Sequence, residues 1–221
     1  YIPKDIVAGD FYWWLKNKNR YYLAAADCTG HGVPGAMVSV ACASILNRSV
    51  KELGLNKPSD ILDKTTDLVI EAFSTQEEEG AYIKDGMDIA LCGMEIKDNG
   101  EVDVDFSGAN NPLWIVRSNG DFEEIQANRQ PIGYFEYRKE FRNNEVSLNK
   151  GDTIYMFSDG YADQFGGNKN KKYKSSNFKN KLLAIQSKPM IEQQAILEKE
   201  FTDWKGDFEQ TDDICVIGVR I

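Results

Sequence analysis

Asp27-Cys28-Thr29-Gly30-His31-Gly32-Val33-Pro34-Gly35-Ala36 is the stretch on which the reading of this chain turns. Before it stands Tyr21-Tyr22-Leu23-Ala24-Ala25-Ala26, an apolar run that reads as a buried strand. After it, Ala36 to Leu46 reads as a helix rich in small residues. An Asp therefore ends a strand, a Gly-rich turn follows, and a helix begins. A carboxylate placed there is costly to bury without a positive partner. Two readings stay open at this point. Asp27 or Thr29 caps the helix, or Asp27 is a metal ligand and the glycines let backbone approach the ion.

The 221 residues fit a single domain, and 42% hydrophobic residues are enough for a core. The formal charge of -9 and pI near 4.8 argue against nucleic acid or an anionic membrane surface as partner. The four cysteines, Cys28, Cys42, Cys92 and Cys215, lie far apart inside apolar elements with no metal-ligand spacing. They read as reduced core thiols of a cytoplasmic protein. Slow thiol labelling is expected, with Cys28 as the exception because it adjoins the site. No apolar run reaches about 18 residues, so the sequence predicts no membrane contact, and no signal peptide is visible. The chain opens at Tyr1 without Met. It is therefore expected to be one domain, 1–221, from the C-terminal part of a longer regulatory protein.

Phe11 to Leu15 and Tyr21 to Ala26 predict a hairpin. Asp10 precedes its first strand and Asp27 follows its second, so pairing makes the two carboxylates neighbours. Their repulsion favours a shared cation. Residues 34–52 predict a helix, with Ala36, Val40 and Ala43 at helical spacing. Residues 59–73 predict a second, burying Ile61, Leu62, Leu68, Val69 and Ala72. Glu77-Glu78-Glu79-Gly80 reads as a solvated link. From about Gly86 to Phe157 the chain is strand-rich, with hairpin turns at Asp98-Asn99-Gly100 and Ser118-Asn119-Gly120-Asp121. Residues 166–174 read as mobile surface. Helices are expected at 175–186 and 189–204, the latter amphipathic through Ile191, Ala195, Ile196 and Phe201. An apolar strand, Ile214 to Val219, closes the chain. This order predicts an α+β domain of antiparallel sheets with helices packed outside.

Asp10, Asp27, Asp159 and Asp212 share one feature: each stands at an apolar strand end beside Gly or another Asp. Hard oxygen ligands suit Mg²⁺ or Mn²⁺ rather than zinc, and His31 is the only histidine. Neither a P-loop nor a GxSxG elbow occurs. What remains is metal-assisted attack of water on phosphorus.

Four motifs in register now carry a resemblance: Gly9-Asp10-Phe11-Tyr12, Ala26-Asp27-Cys28-Thr29-Gly30-His31-Gly32-Val33-Pro34, Phe157-Ser158-Asp159-Gly160-Tyr161-Ala162-Asp163, and Thr211-Asp212-Asp213. Across nearly the whole chain it resembles the PPM-type metal-dependent serine/threonine protein phosphatases, in the bacterial branch named for sporulation stage II protein E. The resemblance implies a two-layer antiparallel β-sandwich flanked by helices, a four-layer αββα fold, with two Mn²⁺ or Mg²⁺ ions at one end. It implies that Asp27 bridges both ions, that the Cys28 carbonyl completes the second site, and that Asp159 and Asp212 bind the first. Asp10 would sit near that ion, directly or through water, and Asp213 behind it. Asp163 matches a position that helps hold a third ion, whose usual acidic partner is replaced by Ala109-Asn110. His31 would be either a proton donor or a turn and helix-capping residue. The arginine that holds substrate phosphate in eukaryotic members has no counterpart.

The implied function is hydrolysis of phosphoserine or phosphothreonine on a regulatory protein, such as an anti-sigma-factor antagonist, by metal-bound hydroxide. The implied partners are that phosphoprotein, an upstream sensor or regulatory domain, and a second copy of the chain. The alternative is a catalytically silent member of the fold that binds or dimerises.

Overall fold

The structure, a computed structural model, describes residues 1–73 and 85–221. The expected Glu77–Gly80 link lies outside the described residues. Strand β1 (Phe11–Asn17) pairs antiparallel with β2 (Arg20–Cys28), and Phe11 faces Ala26. That register carries Asp10 to the position opposite Asp27, as the hairpin reading requires. Helices α1 (Gly32–Lys51) and α2 (Pro58–Phe73) follow. Then come β3 (Met87–Ile96), β4 (Val102–Ala109), β5 (Leu113–Val116), β6 (Phe122–Ile125), β7 (Asn144–Leu148) and β8 (Thr153–Phe157). A short helix α3 (Gly160–Asp163), the small hairpin β9 (Phe165–Gly166) and β10 (Lys171–Lys172), helices α4 (Ser175–Ile185) and α5 (Met190–Lys205), and β11 (Val216–Arg220) complete the chain.

The strands form two main antiparallel sheets, ordered β1-β2-β3-β4-β7 and β11-β8-β5-β6. Side-chain alternation builds three apolar layers from them. On β2 and β3, Ala24, Ala26, Ile89 and Leu91 face Cys42, Leu46 and Ile61 of the first helix pair. The intervening Ala25, Ala90 and Cys92 face Leu113, Ile115, Ile154 and Met156 across the sandwich. On the far side, Trp114, Tyr155 and Phe157 pack on Phe178, Leu182, Leu197 and Phe201 of α4 and α5. Strands buried on both faces need apolar residues at every position, which is why β2 and β8 read as continuous apolar runs rather than alternating ones. The layers run helix, sheet, sheet, helix, as expected.

Several local expectations are corrected. The buried face of α5 is Gln193, Leu197 and Phe201, while Ile191 is 73% exposed and Ala195 is also exposed. Gln193 takes an apolar-looking slot because its side chain is fully bonded there: it accepts from Tyr155 Oη at 2.6 Å and donates to the carbonyls of Lys188 and Gln186. On α1 the buried residues are Gly35, Val38, Ser39, Cys42, Leu46, Ser49 and Val50, whereas Val40 points to solvent. On α2, Ala72 is exposed. Residues 166–174 are not simply surface, since β9 and β10 pair and Tyr173 is buried against Tyr161 and Trp204. Helix α1 is long and apolar enough to cross a membrane by length and composition. Its apolar buried face is instead part of the core beside α2.

All four cysteines are buried and unpaired. Cys28 is no exception: it is 4% exposed, and its thiol lies beside that of Cys42 in the α1-facing layer. The Cys42 thiol and burial push the Cys28 thiol far up, and burial raises Cys92 and brings Cys215 to about 12. Because the thiolate is the reactive form, none of the four should label quickly in the native protein with a maleimide at neutral pH. Rapid labelling of Cys28 would contradict its placement.

Candidate metal centre

The Gly-rich turn is a packing solution. The Gly30 carbonyl oxygen sits between Gly9 and Gly35, and a Cβ on either would lie 2.3 or 2.2 Å from it. The start of β1, the turn and the start of α1 can approach only because both positions lack side chains. Gly30 and Gly32 adopt φ of +82° and +64°, which places the turn in the left-handed region. Neither Asp27 nor Thr29 caps α1. The N-cap position is His31, which makes no side-chain cap bond. Thr29 instead ties the turn to the start of β3: its Oγ1 donates to Asp85 at 3.1 Å and accepts from the Gly86 N–H at 3.2 Å. Gly35→Ala should therefore destabilise the protein by about 2 kcal/mol through overpacking. The expected fall in Tm is roughly 4–8 °C for a chain of this size, read by thermal unfolding, with weakened Mn²⁺ binding beside it.

A cavity of about 270 Å³ opens at this end of the sandwich, lined by Asp27, Cys28, Thr29, Gly30, His31, Asp88, Asp159 and Asp212 and by the 131–134 loop. Main-chain bonds between Met87 and Ile132 fix that loop against β3. The Gln130 side chain braces its base by bonding both backbone groups of Lys139. A larger cavity of about 480 Å³ lies between α5 and β11, but its lining is mainly apolar and holds none of the strand-end aspartates.

Of the sequence-predicted residues, Asp27, Cys28, His31, Asp159 and Asp212 share the small cavity. Asp10 is buried behind it, 3% exposed, and its Oδ2 has no hydrogen-bond partner. Asp213 is 1% exposed and fully used: its two oxygens accept the backbone N–H groups of Lys4 and Gly9, each at 2.7 Å. It anchors the N-terminal strap. Asp163 closes the single turn of α3 and pairs with Lys172 at 2.7 Å. His31 Nδ1 lies 2.9 Å from an Asp5 carboxylate oxygen.

One residue escaped the sequence reading. Asp88 stands opposite Asp27 in the β2–β3 register, and Asn110 Nδ2 donates to it at 2.8 Å. In sequence it is only one polar residue opening an apolar strand. Its proximity comes from a long-range register that no local pattern announces.

The aspartates raise one another's affinity for protons. Burial, then the Asp10, Asp159 and Asp212 charges, push the Asp27 carboxyl up to about 9. Burial raises Asp10 to about 7; the Ser158 hydroxyl opposes this and the surrounding aspartates add to it. Burial and Asp159 raise Asp88 to about 6 against the Asn110 bond. Asp159 is raised by desolvation and by Asp163 and Asp212, with Lys172 opposing. Carboxylates gathered this closely repel one another and favour their protonated forms unless a cation pairs with them. Among the described residues no three acidic, cysteine or histidine side chains converge into a finished cage. The fit to a divalent ion rests on the orphaned Asp10 Oδ2 and on an all-oxygen donor set of the kind Mg²⁺ and Mn²⁺ prefer.

Sheet order, helix layers and the acidic end together define the PPM phosphatase fold. The PP2C domain of SiaA from Pseudomonas aeruginosa superposes with a TM-score of 0.85 at 28% identity, covering 100% of this chain and 83% of that one. The PP2C domain with a fragment of the regulatory domain of SpoIIE from Bacillus subtilis superposes at 0.73 and 21% identity, covering 100% and 61%. Residues 17–221 match the family Stage II sporulation protein E (SpoIIE), and the chain belongs to it. The phosphoserine phosphatase RsbU of Bacillus subtilis (strain 168) is 26% identical over 165 residues, 73% of this chain. The match spans 45% of the length of RsbU.

Proposed function

We propose that this chain is a divalent-cation-dependent phosphatase domain that hydrolyses phosphoserine or phosphothreonine on a regulatory protein. The observation that carries the reading is the shared cavity of Asp27, Asp159 and Asp212, with the unpartnered Asp10 Oδ2 behind it. Family membership and the likeness to RsbU, a phosphoserine phosphatase, support it. RsbX, a more distant structure of this fold at 12% identity and TM-score 0.65, is described in complex with magnesium.

Asp10, Asp27, Asp159, Asp212 and the Cys28 carbonyl would hold two Mn²⁺ or Mg²⁺ ions, which would supply charge neutralisation for the phosphoryl group and a water of lowered pKa. The protein does the rest. Gly9, Gly30 and Gly35 fix the turn that carries two of the donors. Asp213 holds the strap before Asp10, and Asp88 adds a further carboxylate facing Asp27. Residues 131–134 wall the cavity. Asp163 faces Lys172, and a third ion there would have to displace that ammonium.

The domain, residues 1–221, is proposed as part of a longer cytoplasmic regulatory protein, in which an upstream sensor or a second copy controls the site. The alternative is a silent member of the fold that only binds or dimerises; the retained aspartates speak against it. Hydrolysis of p-nitrophenyl phosphate with Mn²⁺, lost on chelation and restored by Mn²⁺, is expected. No turnover under any divalent cation would leave the silent reading.

A further inference from the structure

The acidic cavity has to take in a phosphate dianion, yet among the described residues its lining holds no lysine or arginine. Two divalent ions set against Asp10, Asp27, Asp88, Asp159 and Asp212, all ionised, leave one negative charge before that dianion arrives. One cation stands at the edge of this end of the sandwich. Lys172 Nζ lies 2.7 Å from Asp163 Oδ2, and Asp163 closes the helical turn that Asp159 opens. Lys172 is also close enough to Asp159 to oppose the rise of its carboxyl. Among the described residues, no other lysine or arginine figures among the strongest influences on Asp10, Asp27, Asp88 or Asp159.

The hairpin that carries Lys172 is bolted to the site. Gln164 is fully buried, and its carbonyl accepts the Tyr173 N–H at 2.9 Å and Trp204 Nε1–H at 3.1 Å. Its side-chain Oε1 accepts the N–H of Thr211, the residue before Asp212, at 3.0 Å. Gly166 packs on α5 so closely that a Cβ there would stand 2.0 Å from the Trp204 carbonyl oxygen. The backbone of β10 is thereby fixed relative to Asp159 and Asp212. The Lys172 side chain is 47% exposed, and its four-carbon stem is flexible. An exposed ion pair of this kind contributes little to stability, so exchanging its carboxylate for a phosphate oxygen costs little. We propose that Lys172 is a substrate-binding residue, whose ammonium leaves Asp163 to meet a phosphoryl oxygen of the bound phosphoserine or phosphothreonine. The proposal rests on the phosphatase reading above. Asp163 holds the ammonium beside the cavity between turnovers, and the added positive charge offsets the dianion where the carboxylates repel it.

A split between binding and turnover separates this role from a plain surface ion pair. Steady-state rates in saturating Mn²⁺ are compared for wild type, Lys172→Ala, Lys172→Arg and Lys171→Ala, on a phosphoserine peptide and on p-nitrophenyl phosphate. Calorimetric titration of inorganic phosphate into the Mn²⁺-loaded proteins reads the same contact without turnover. A charge-assisted hydrogen bond is worth about tenfold or more in affinity. Lys172→Ala should therefore raise KM about tenfold on both esters and weaken phosphate binding by the same factor, with kcat within about threefold of wild type. Its Mn²⁺ stoichiometry and affinity should match wild type, and Lys172→Arg should recover most of the loss. Lys171→Ala, one position along β10 and outside the Asp163 pair, should match wild type throughout. Unchanged KM and phosphate affinity in Lys172→Ala, or an equal loss in Lys171→Ala, would overturn the proposal. So would weakened Mn²⁺ binding in Lys172→Ala, which would make the residue a support of the metal site instead. Absence of wild-type turnover of either ester would count against the phosphatase reading itself, and the phosphate titration would still decide the role of Lys172.

Discussion

Asp27→Ala should lower Mn²⁺-dependent hydrolysis of phosphate esters by about 10³-fold or more. A bound cation supplies several kcal/mol of transition-state stabilisation, and each 1.36 kcal/mol is tenfold in rate. Asp27 is central to the acidic set: it shares the cavity with Asp159 and Asp212 and faces Asp88 across the sheet. Asp159→Ala should behave alike. Asp121→Ala should leave the rate unchanged, because Asp121 sits in an exposed hairpin turn bonded to Asn119. The same substitutions carry an opposite expectation for stability. The metal-free protein keeps a carboxyl at Asp27 that burial and like charges push up to about 9. Asp27→Asn removes that conflict while keeping the shape. The metal-free variant should be more stable than metal-free wild type by about 1–2 kcal/mol, a stability gain of the kind bought at functional sites. Chemical unfolding in the presence of chelator measures it. A less stable Asp27→Asn would show that the site is not under carboxylate repulsion.

The second large effect is on pH dependence. Asp27, Asp10 and Asp88 titrate in the folded protein near 9, 7 and 6, each above its ordinary value of 3.8. From about pH 4 upward the folded state thus holds more protons at these groups than the unfolded state does. Stability contributed by their protonated forms is full below about pH 4 and is lost as pH rises through 6, 7 and 9. Metal-free protein should accordingly show a Tm that falls steadily between pH 5 and 9. Asp103 and Glu123, held low by Lys97 and Arg117, act in the opposite sense only below about pH 4.5 and do not mask this window. Divalent cations take the place of the protons, and their binding strengthens with pH. In saturating Mn²⁺ the fall should vanish, and the Tm gained from the ion should grow from pH 5 to pH 8. A flat metal-free profile over that range, or an ion effect that shrinks with pH, would contradict the account.

The fold was readable where one residue decides one thing. The hairpin Asp10…Asp27, the small-residue helix and the two-sided apolar strands follow from local pattern, and they fix the sandwich and its acidic end. Strand β7, Asn144–Leu148, was not separable from its surroundings, because at this sheet edge only Leu148 is buried and the residues before it alternate between half-buried and exposed. The α5 face was misread because Gln193, a polar residue, occupies the buried stripe through three side-chain bonds. In the site, strand-end position singled out Asp10, Asp27, Asp159 and Asp212. Asp88 stayed hidden for a different reason. It matters through Asp27, a partner 61 positions away in the chain. Such a contact belongs to register rather than to sequence pattern. Cys28 shows the reverse error: adjacency to a site residue suggested exposure, but strand alternation turns its thiol into the core.

The claim beneath these results is that the acidic end of the sandwich is built for divalent cations. Isothermal titration calorimetry of the chelator-treated chain with Mn²⁺ tests it most directly, run near pH 7.5 in two buffers of different ionisation enthalpy. The account predicts about two ions bound per chain, with protons released as the Asp10 and Asp27 carboxyls give way to metal, and loss of that binding in Asp27→Ala. No binding, binding without proton release, or binding untouched by Asp27→Ala would contradict it.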